Sequence, residues 1–399
     1  MSTSAHKEFN IKKFLSITTL FGVLNTSFIC MVIVPFFKDC GMIPIQLSII
    51  LLSKKIVRLF FDPFFGLLFD KYGAKIVFFI GRILKLFSFI ILGWCHHSFL
   101  AFIIAMLLDG VSYSAIYGKI GAYIYNTLSA NHKDNFYSRL ISIYYFFADI
   151  MIASMSFSAS FLVKMYGYNT LIYISIIMNI ISLLILLFFI PNNKQQKQKQ
   201  FISKSFKEIV NTLFVISKTN PVFLYLLIFY GIVNFISWQF GSVISLILID
   251  TGYDASKLAF VGAMYKIITS IGCLLPITLF KNGLKIKTCC KLFLTLSLFG
   301  VFASVIYTSK IIVILMCMIV FFYTLIEVSI EKTIDSISDK KVRGTAISIA
   351  MMFCSIFTNI SIILSGIIAQ YLSYKIVLFT IMTCIFTMMF FLNKKLKLL

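Results

Sequence analysis

Apolar runs about as long as a lipid bilayer is thick recur through the whole chain, and they fix what it can fold into. The first covers 17–36, followed by 47–69, 76–95, 99–128, 140–163 and 171–190. After a polar stretch at 191–219, rich in Lys and Gln at its start, come 221–249, 256–280, 292–307, 311–330, 345–369 and 376–392. A helix of roughly 20 apolar residues crosses the hydrocarbon core. In lipid such a helix satisfies its own backbone hydrogen bonds. A barrel strand would alternate with a period of two, and these runs do not. The expected fold is therefore all-α and integral to the membrane, with twelve transmembrane helices. Charged residues are 13% of the chain, against roughly 25% in a soluble domain. The expected units are a first bundle over 1–190, a cytoplasmic central loop over 191–219 and a second bundle over 220–399.

The charge pattern gives the runs a direction. The net charge is +22, which raises nucleic acid as a partner, but no soluble basic domain exists to bind it. On one side of the expected membrane the loops hold only Lys38, Lys164, Lys257, Lys310 and Lys375. The other Lys-rich and Arg-rich segments, including 71–75, 133–139, 194–218, 281–291, 332–343 and 394–397, fall on the opposite side. Positive charge favours the cytoplasmic face. Both termini and the central loop are thus expected inside, with the protein in the cytoplasmic (inner) membrane. Its excess charge would meet anionic lipid. Within the central loop, 201–210 reads as a short amphipathic helix on the lipid surface. The polar 1–13 ahead of a long first run reads as a retained signal-anchor.

Catalytic chemistry has no foothold in this sequence. There is no P-loop, no GxSxG and no HExxH. The nine cysteines show no metal-ligand spacing, so neither a metal nor another cofactor is expected. What remains is secondary transport of a small molecule, driven by an ion or solute gradient; protons are the expected coupling ion and a monomer the expected state.

A short turn between the second and third runs carries Gly66, Asp70, Lys71, Gly73 and Lys75. It resembles the G-x-x-x-D-[RK]-x-G-x-[RK] signature of the major facilitator superfamily, and every fixed position is met. Gly66 is expected to bring one helix close to a neighbour, and Gly73 to let the backbone reverse. The corresponding place in the second half, 276–285, keeps Lys281, Gly283 and Lys285 but lacks the first Gly and the Asp. Arg139 before the fifth run is matched by Arg343 before the eleventh, and 164–168 has a weaker echo at 370–374. The resemblance implies two pseudo-symmetric six-helix bundles that rock about a central site. It also implies that Arg139 and Arg343 are gate-side arginines that cap neighbouring helix ends.

Finer motifs point to a drug-efflux-like branch. Asp62-Pro63 leading into Gly66 is similar to such members. The stretch 118–128 resembles a G-x-x-E-A-x-x-Y-D-x-L pattern, with Gly121 and Asn126 where the acids stand. The fifth run has small residues at 153–160 but lacks the G-x-x-x-G-P-x-x-G antiporter signature. Proton-coupled efflux of an antibiotic or other toxic compound is the leading expectation, including self-immunity to a locally made antibiotic. The alternatives are proton-coupled uptake of an organic anion, sugar or peptide, and a transporter-like membrane sensor.

Charges inside the runs are the sharpest site candidates, because each is costly in lipid unless paired or wet. Arg58 and Asp62 are four apart and can pair along a helix; alternatively Arg58 faces the cavity and binds an anionic or polar group. Lys54 and Lys55 either draw anions in or snorkel. Asp109, beside Gly110, is a candidate proton carrier, or else the partner of Lys85 at similar depth. Lys119 lies further along the same run. The resemblance places the fifth run against the eighth, so Asp149 and Lys266 are a candidate contact between halves. Asn25, Trp238, Gln239, Asn234 and Asn359 either line the cavity or bond between helices. Glu327 and Glu331 are expected to pair with loop cations. His96-His97 reads as an interfacial anchor or a pH sensor.

Overall fold

The computed structural model describes residues 11–24, 27–95, 98–131, 133, 136–190, 227–228, 230–235, 248, 252–279, 295, 313–314, 317–326, 343–371, 376 and 383. Among the described residues every regular element is helical. We number them α1 (Ile11–Val23), α2 (Ile33–Asp39), α3 (Pro44–Tyr72), α4 (Ala74–Trp94), α5 (Phe99–Ala130) and α6 (Tyr137–Phe189). Then follow α7 (Ala255–Leu279), α8 (Cys317–Ile326) and α9 (Arg343–Tyr371). A 3-10 turn, Phe28–Met31, separates α1 from α2. The central loop 191–219 lies outside the described residues.

Local chemistry sets the helix ends. Pro44 occupies the first turn of α3, where a missing N–H costs nothing. The Gln46 side chain accepts from the Ile43 N–H at 3.1 Å. Gly73, at φ 85°, takes the left-handed turn that ends α3 and starts α4 one residue later. The Ser98 side chain accepts from the Ala101 N–H at the start of α5.

One expectation of continuity needs correction. The run 17–36 is not one helix: α1 stops at Val23, and the chain passes through the 3-10 turn before α2 begins. The freed α1 carbonyls are held by the buried Arg82, described below, so the break is satisfied rather than exposed. The expected break between the runs 140–163 and 171–190 is present and tight: α6 comprises two helices that meet at Gly167, whose dihedrals are non-helical (φ 75°, ψ −175°).

Two apolar clusters fill the first half. One gathers Phe36, Phe37, Ile50, Phe89, Leu92 and Phe102 toward the turn at 40–43. The other gathers Phe21, Phe65, Phe69, Phe78, Ile116 and Tyr123 toward Gly73. Residues between these positions on α3, α4 and α5 therefore form a middle layer, and that layer carries the charges.

The two halves meet through α6 against α7 and through α3 against α9. The Ser156 hydroxyl donates to the Ala259 carbonyl at 2.7 Å, and the Phe157 and Phe260 rings lie 5.9 Å apart. Gly366 lies so close to Ser48 that an added Cβ would stand 2.2 Å from its hydroxyl. Tyr168 donates to Asp39 at 2.6 Å near the same end. The Ser156, Phe157 and Gly366 contacts hold the halves together at the end of the bundle that carries the 40–43 turn, and the Tyr168–Asp39 bond ties the first half to itself there.

The close helix approach expected at Gly66 lies instead at Gly110. A Cβ on Gly110 would stand 2.4 Å from the Lys54 carbonyl oxygen, whereas one on Gly66 would meet only the Lys119 amine at 3.7 Å. Backbone cannot yield as a side-chain tip can. Gly110→Ala is therefore expected to force α3 and α5 apart at a cost near the upper end of the roughly 1–3 kcal/mol typical of overpacking. Gly66→Ala is expected to fit. Thermal melting of the two purified variants checks this contrast, and equal melting would refute it.

Candidate functional site

The site is built from two stripes at helical spacing. Lys54, Arg58, Asp62 and Gly66 recur every four residues on α3, and Asp109, Tyr113 and Tyr117 do so on α5. Residues four apart lie on one helix face. Because Gly110 lets α3 and α5 cross closely, the two stripes face one another.

Asp109 is the hub. Its carboxylate, 2% exposed, accepts from Lys54 at 2.6 Å on one oxygen. The other oxygen accepts from Lys85 of α4, a pair buried on both sides. The expected Lys85–Asp109 pair is thus present, and Lys54 joins it. One carboxylate shared by two ammonium groups satisfies the need of buried charge for partners, and leaves the triad formally cationic.

Beside the triad, the Arg58 guanidinium lies 4.1 Å over the Tyr113 ring, a cation–π contact. Tyr113 stacks on Tyr117 at 4.4 Å with an interplanar angle of 15°. Arg58 reaches Asp62 only at 3.9 Å, beyond hydrogen-bond length, and its buried Nε has no partner. Lys119 donates to the Asp62 backbone carbonyl at 3.1 Å, and Lys55 lies within electrostatic reach of Lys54 and Arg58.

The second half enters through Lys266. It donates to Asp149 at 2.8 Å, and Thr269 donates to the other oxygen of Asp149 at 3.0 Å. This pair joins α6 to α7 in the middle layer, where Lys266 also acts electrostatically on Tyr113. Exchanging the charges offers a direct check. Asp149→Lys alone is expected to cut transport at least tenfold by opposing two cations. Combining it with Lys266→Asp is expected to restore most of it. A double variant as inactive as the single one in a vesicle flux assay would refute pairing as the role.

Arg82 interrupts the apolar run 76–95. It is 0% exposed. One terminal nitrogen donates to the Phe21 carbonyl at 2.5 Å. The other donates to the Leu24 carbonyl at 3.0 Å and to Asn179 at 3.4 Å. Asn179 donates back to the Arg82 carbonyl at 2.9 Å. The guanidinium thus occupies the negative C-terminal end of α1. A positive residue far inside an apolar run, opposite an Asn in another, was the available signal.

The other candidates scatter. Asp70 and Lys71 stand in the last turn of α3, and Lys71 is exposed. Lys75 donates to the Leu187 carbonyl at 2.8 Å, near the C-terminal end of α6. Arg139 and Arg343 stand in the first turns of α6 and α9. Asn359 on α9 is buried with its Oδ1 unpartnered. Asn234 bonds instead within the second half, accepting from Tyr323 at 3.0 Å. Asn25, Trp238, Gln239, Glu327, Glu331, His96 and His97 lie outside the described residues. A cavity of about 490 Å³ between α6, α7 and 313–314 is lined by Ser160, Lys257 and Phe260 among others, and shares no residue with the charged layer. No cluster fit to hold a metal occurs among the described residues.

A family model described as the Major Facilitator Superfamily matches residues 15–357. No curated protein matches the chain. Among solved structures, the chain is similar to the nucleoside transporter NupG, with a TM-score of 0.76 at 14% identity, covering 98% of this chain and 100% of that one. It is also similar to a D-xylose-proton symporter, with a TM-score of 0.71 at 13% identity, covering 95% and 97% of the two chains. A POT family transporter in complex with a thioalcohol-conjugated peptide gives 0.70 at 10% identity, covering 96% of each.

Proposed function

The chain belongs to the Major Facilitator Superfamily, and from that premise we propose that it is a proton-coupled secondary transporter that exports a small toxic organic solute, such as an antibiotic, across the cytoplasmic membrane. It is a transport protein with the all-helical fold of that family, and not an enzyme. The observation that carries the proposal is the charged and aromatic layer held between two apolar clusters and joined by Lys266 from the second half. A layer of this kind is costly in lipid, and its use is to offer partners to a solute at mid-depth.

In this reading the units 1–190 and 220–399 rock about the layer. Asp109 couples the proton. Arg58, Lys119 and the tyrosine stack meet the solute, with Asn25, Trp238, Gln239 and Asn359 contributing to its binding. The turn holding Gly66, Asp70, Lys71, Gly73 and Lys75, with Arg139 and Arg343, governs closure on the cytoplasmic side. The resemblance of Asp62-Pro63…Gly66 to efflux-like members supports the outward direction. Uptake is the second reading, favoured by one observation: Lys54, Lys55, Arg58, Lys85, Lys119 and Lys266 outnumber Asp62, Asp109 and Asp149, which suits a nutrient anion.

Cells lacking the gene decide between them. Export requires that such cells accumulate an added toxicant; uptake requires instead that they fail to grow on one nutrient. Purified protein in vesicles with an imposed pH gradient tests transport itself. Vesicles that move no compound from an antibiotic, peptide, sugar and organic-acid panel would replace both readings with that of a sensor.

A further inference from the structure

We propose that the solute is a small organic carboxylate and that the Arg58 guanidinium is its anchor. This rests on the transporter reading above and adds the chemical class of the cargo.

The argument starts from donors that have nowhere to go. A guanidinium carries five N–H groups in a planar fork. The Arg58 guanidinium carbon lies 4.1 Å from the centre of the Tyr113 ring, a cation–π contact that engages no hydrogen-bond acceptor and so leaves the N–H groups to bond elsewhere. Its Nε is buried without a partner, and its nearest carboxylate, Asp62, stands at 3.9 Å. The neighbouring cations differ. Lys54 and Lys85 share Asp109, and Lys266 is bonded to Asp149. Arg82 also keeps a bare Nε, but its terminal nitrogens hold helix carbonyls and it is sealed from solvent. The Arg58 side chain remains 26% exposed.

An unmatched planar fork beside a cationic triad suits a planar two-oxygen anion, which it can meet bidentately. A neutral amide offers one acceptor and a donor the fork cannot use. An ammonium solute would be repelled by the surrounding lysines. The four-residue spacing keeps Arg58 on the same face as Lys54, so the incoming anion meets a field already biased in its favour.

Three matched sets of radiolabelled probes test this in proteoliposomes with a pH gradient. Benzoate, nicotinate and lactate form the first set, their amides the second, and benzylammonium with ethanolammonium the third. The expected result is movement of one or more carboxylates, with the amides and ammonium compounds left behind. Arg58→Gln is expected to weaken half-saturation by on the order of tenfold to a hundredfold, as the loss of a charge-assisted pair should. Arg58→Lys is expected not to restore it, because an ammonium lacks the fork. Thermal melting of both variants shows that each is folded. Movement confined to amides or ammonium compounds overturns the carboxylate inference and leaves the transporter standing. Carboxylate movement unchanged in a folded Arg58→Gln variant overturns Arg58 as the anchor. Movement of no probe by wild-type protein overturns the carboxylate inference, and the reading beneath it falls with it only if the antibiotic, peptide and sugar panel is left behind as well.

Discussion

Asp109→Asn is expected to abolish solute movement and to lower thermal stability sharply. The carboxylate is shared by Lys54 and Lys85, so removing its charge leaves two ammonium groups facing each other in an apolar surround. Breaking a buried ion pair from one side costs about 3–5 kcal/mol. A compensating variant separates stability from function. Lys85→Met added to Asp109→Asn removes the repulsion, and melting is expected to recover toward wild type. Flux is expected to stay absent, because no carboxylate remains in the triad to couple a proton. If flux returns together with stability, Asp109 serves only to neutralise its neighbours. That outcome would take it out of the coupling mechanism.

Arg82→Met is expected to be the most destabilising single change on the first bundle. The substitution keeps apolar bulk but strands the Phe21 and Leu24 carbonyls and the Asn179 side-chain oxygen, all bonded to the guanidinium. Each buried acceptor left unmatched costs about 1–3 kcal/mol. Lys is expected to rescue partially, since its ammonium keeps the charge at the end of α1 but cannot span all the acceptors. The measurement is the fraction of protein that remains monodisperse after heating. Equal stability of Met, Lys and wild-type proteins would show that α1 ends where it does for reasons of its own.

Much of this arrangement was legible in the residues. The apolar runs announced the helices, and α3, α4, α5 and α7 keep their expected places because long apolar stretches in lipid have few alternatives. The Lys85–Asp109 pair was readable because a charge in such a run needs a match at its own depth, and the Asp149–Lys266 pair because the family resemblance sets the fifth run against the eighth. The four-residue stripes were there as well: Asp109, Tyr113 and Tyr117 follow one face of α5, and attention to charge alone passed over the tyrosines. What could not be read was tertiary. Gly66 and Gly110 look equally suited to close packing, and only the crossing point of α3 and α5 decides between them. The break after Val23 has no proline to mark it. It depends on a donor many residues later in the chain, which no local rule detects.

That dependence has a consequence for how the protein is made. Phe21 and Leu24 leave the ribosome well before Arg82, and Asn179 follows much later still. Until the third segment arrives, the opening segment has no means of holding its interrupted form and must wait in some other arrangement, straight or still wet. Lys54 is in the same position, since it is translated long before Asp109. Insertion of this chain is therefore cooperative across segments, and truncated nascent chains ending before Arg82 should sit at the translocon differently from those ending beyond it.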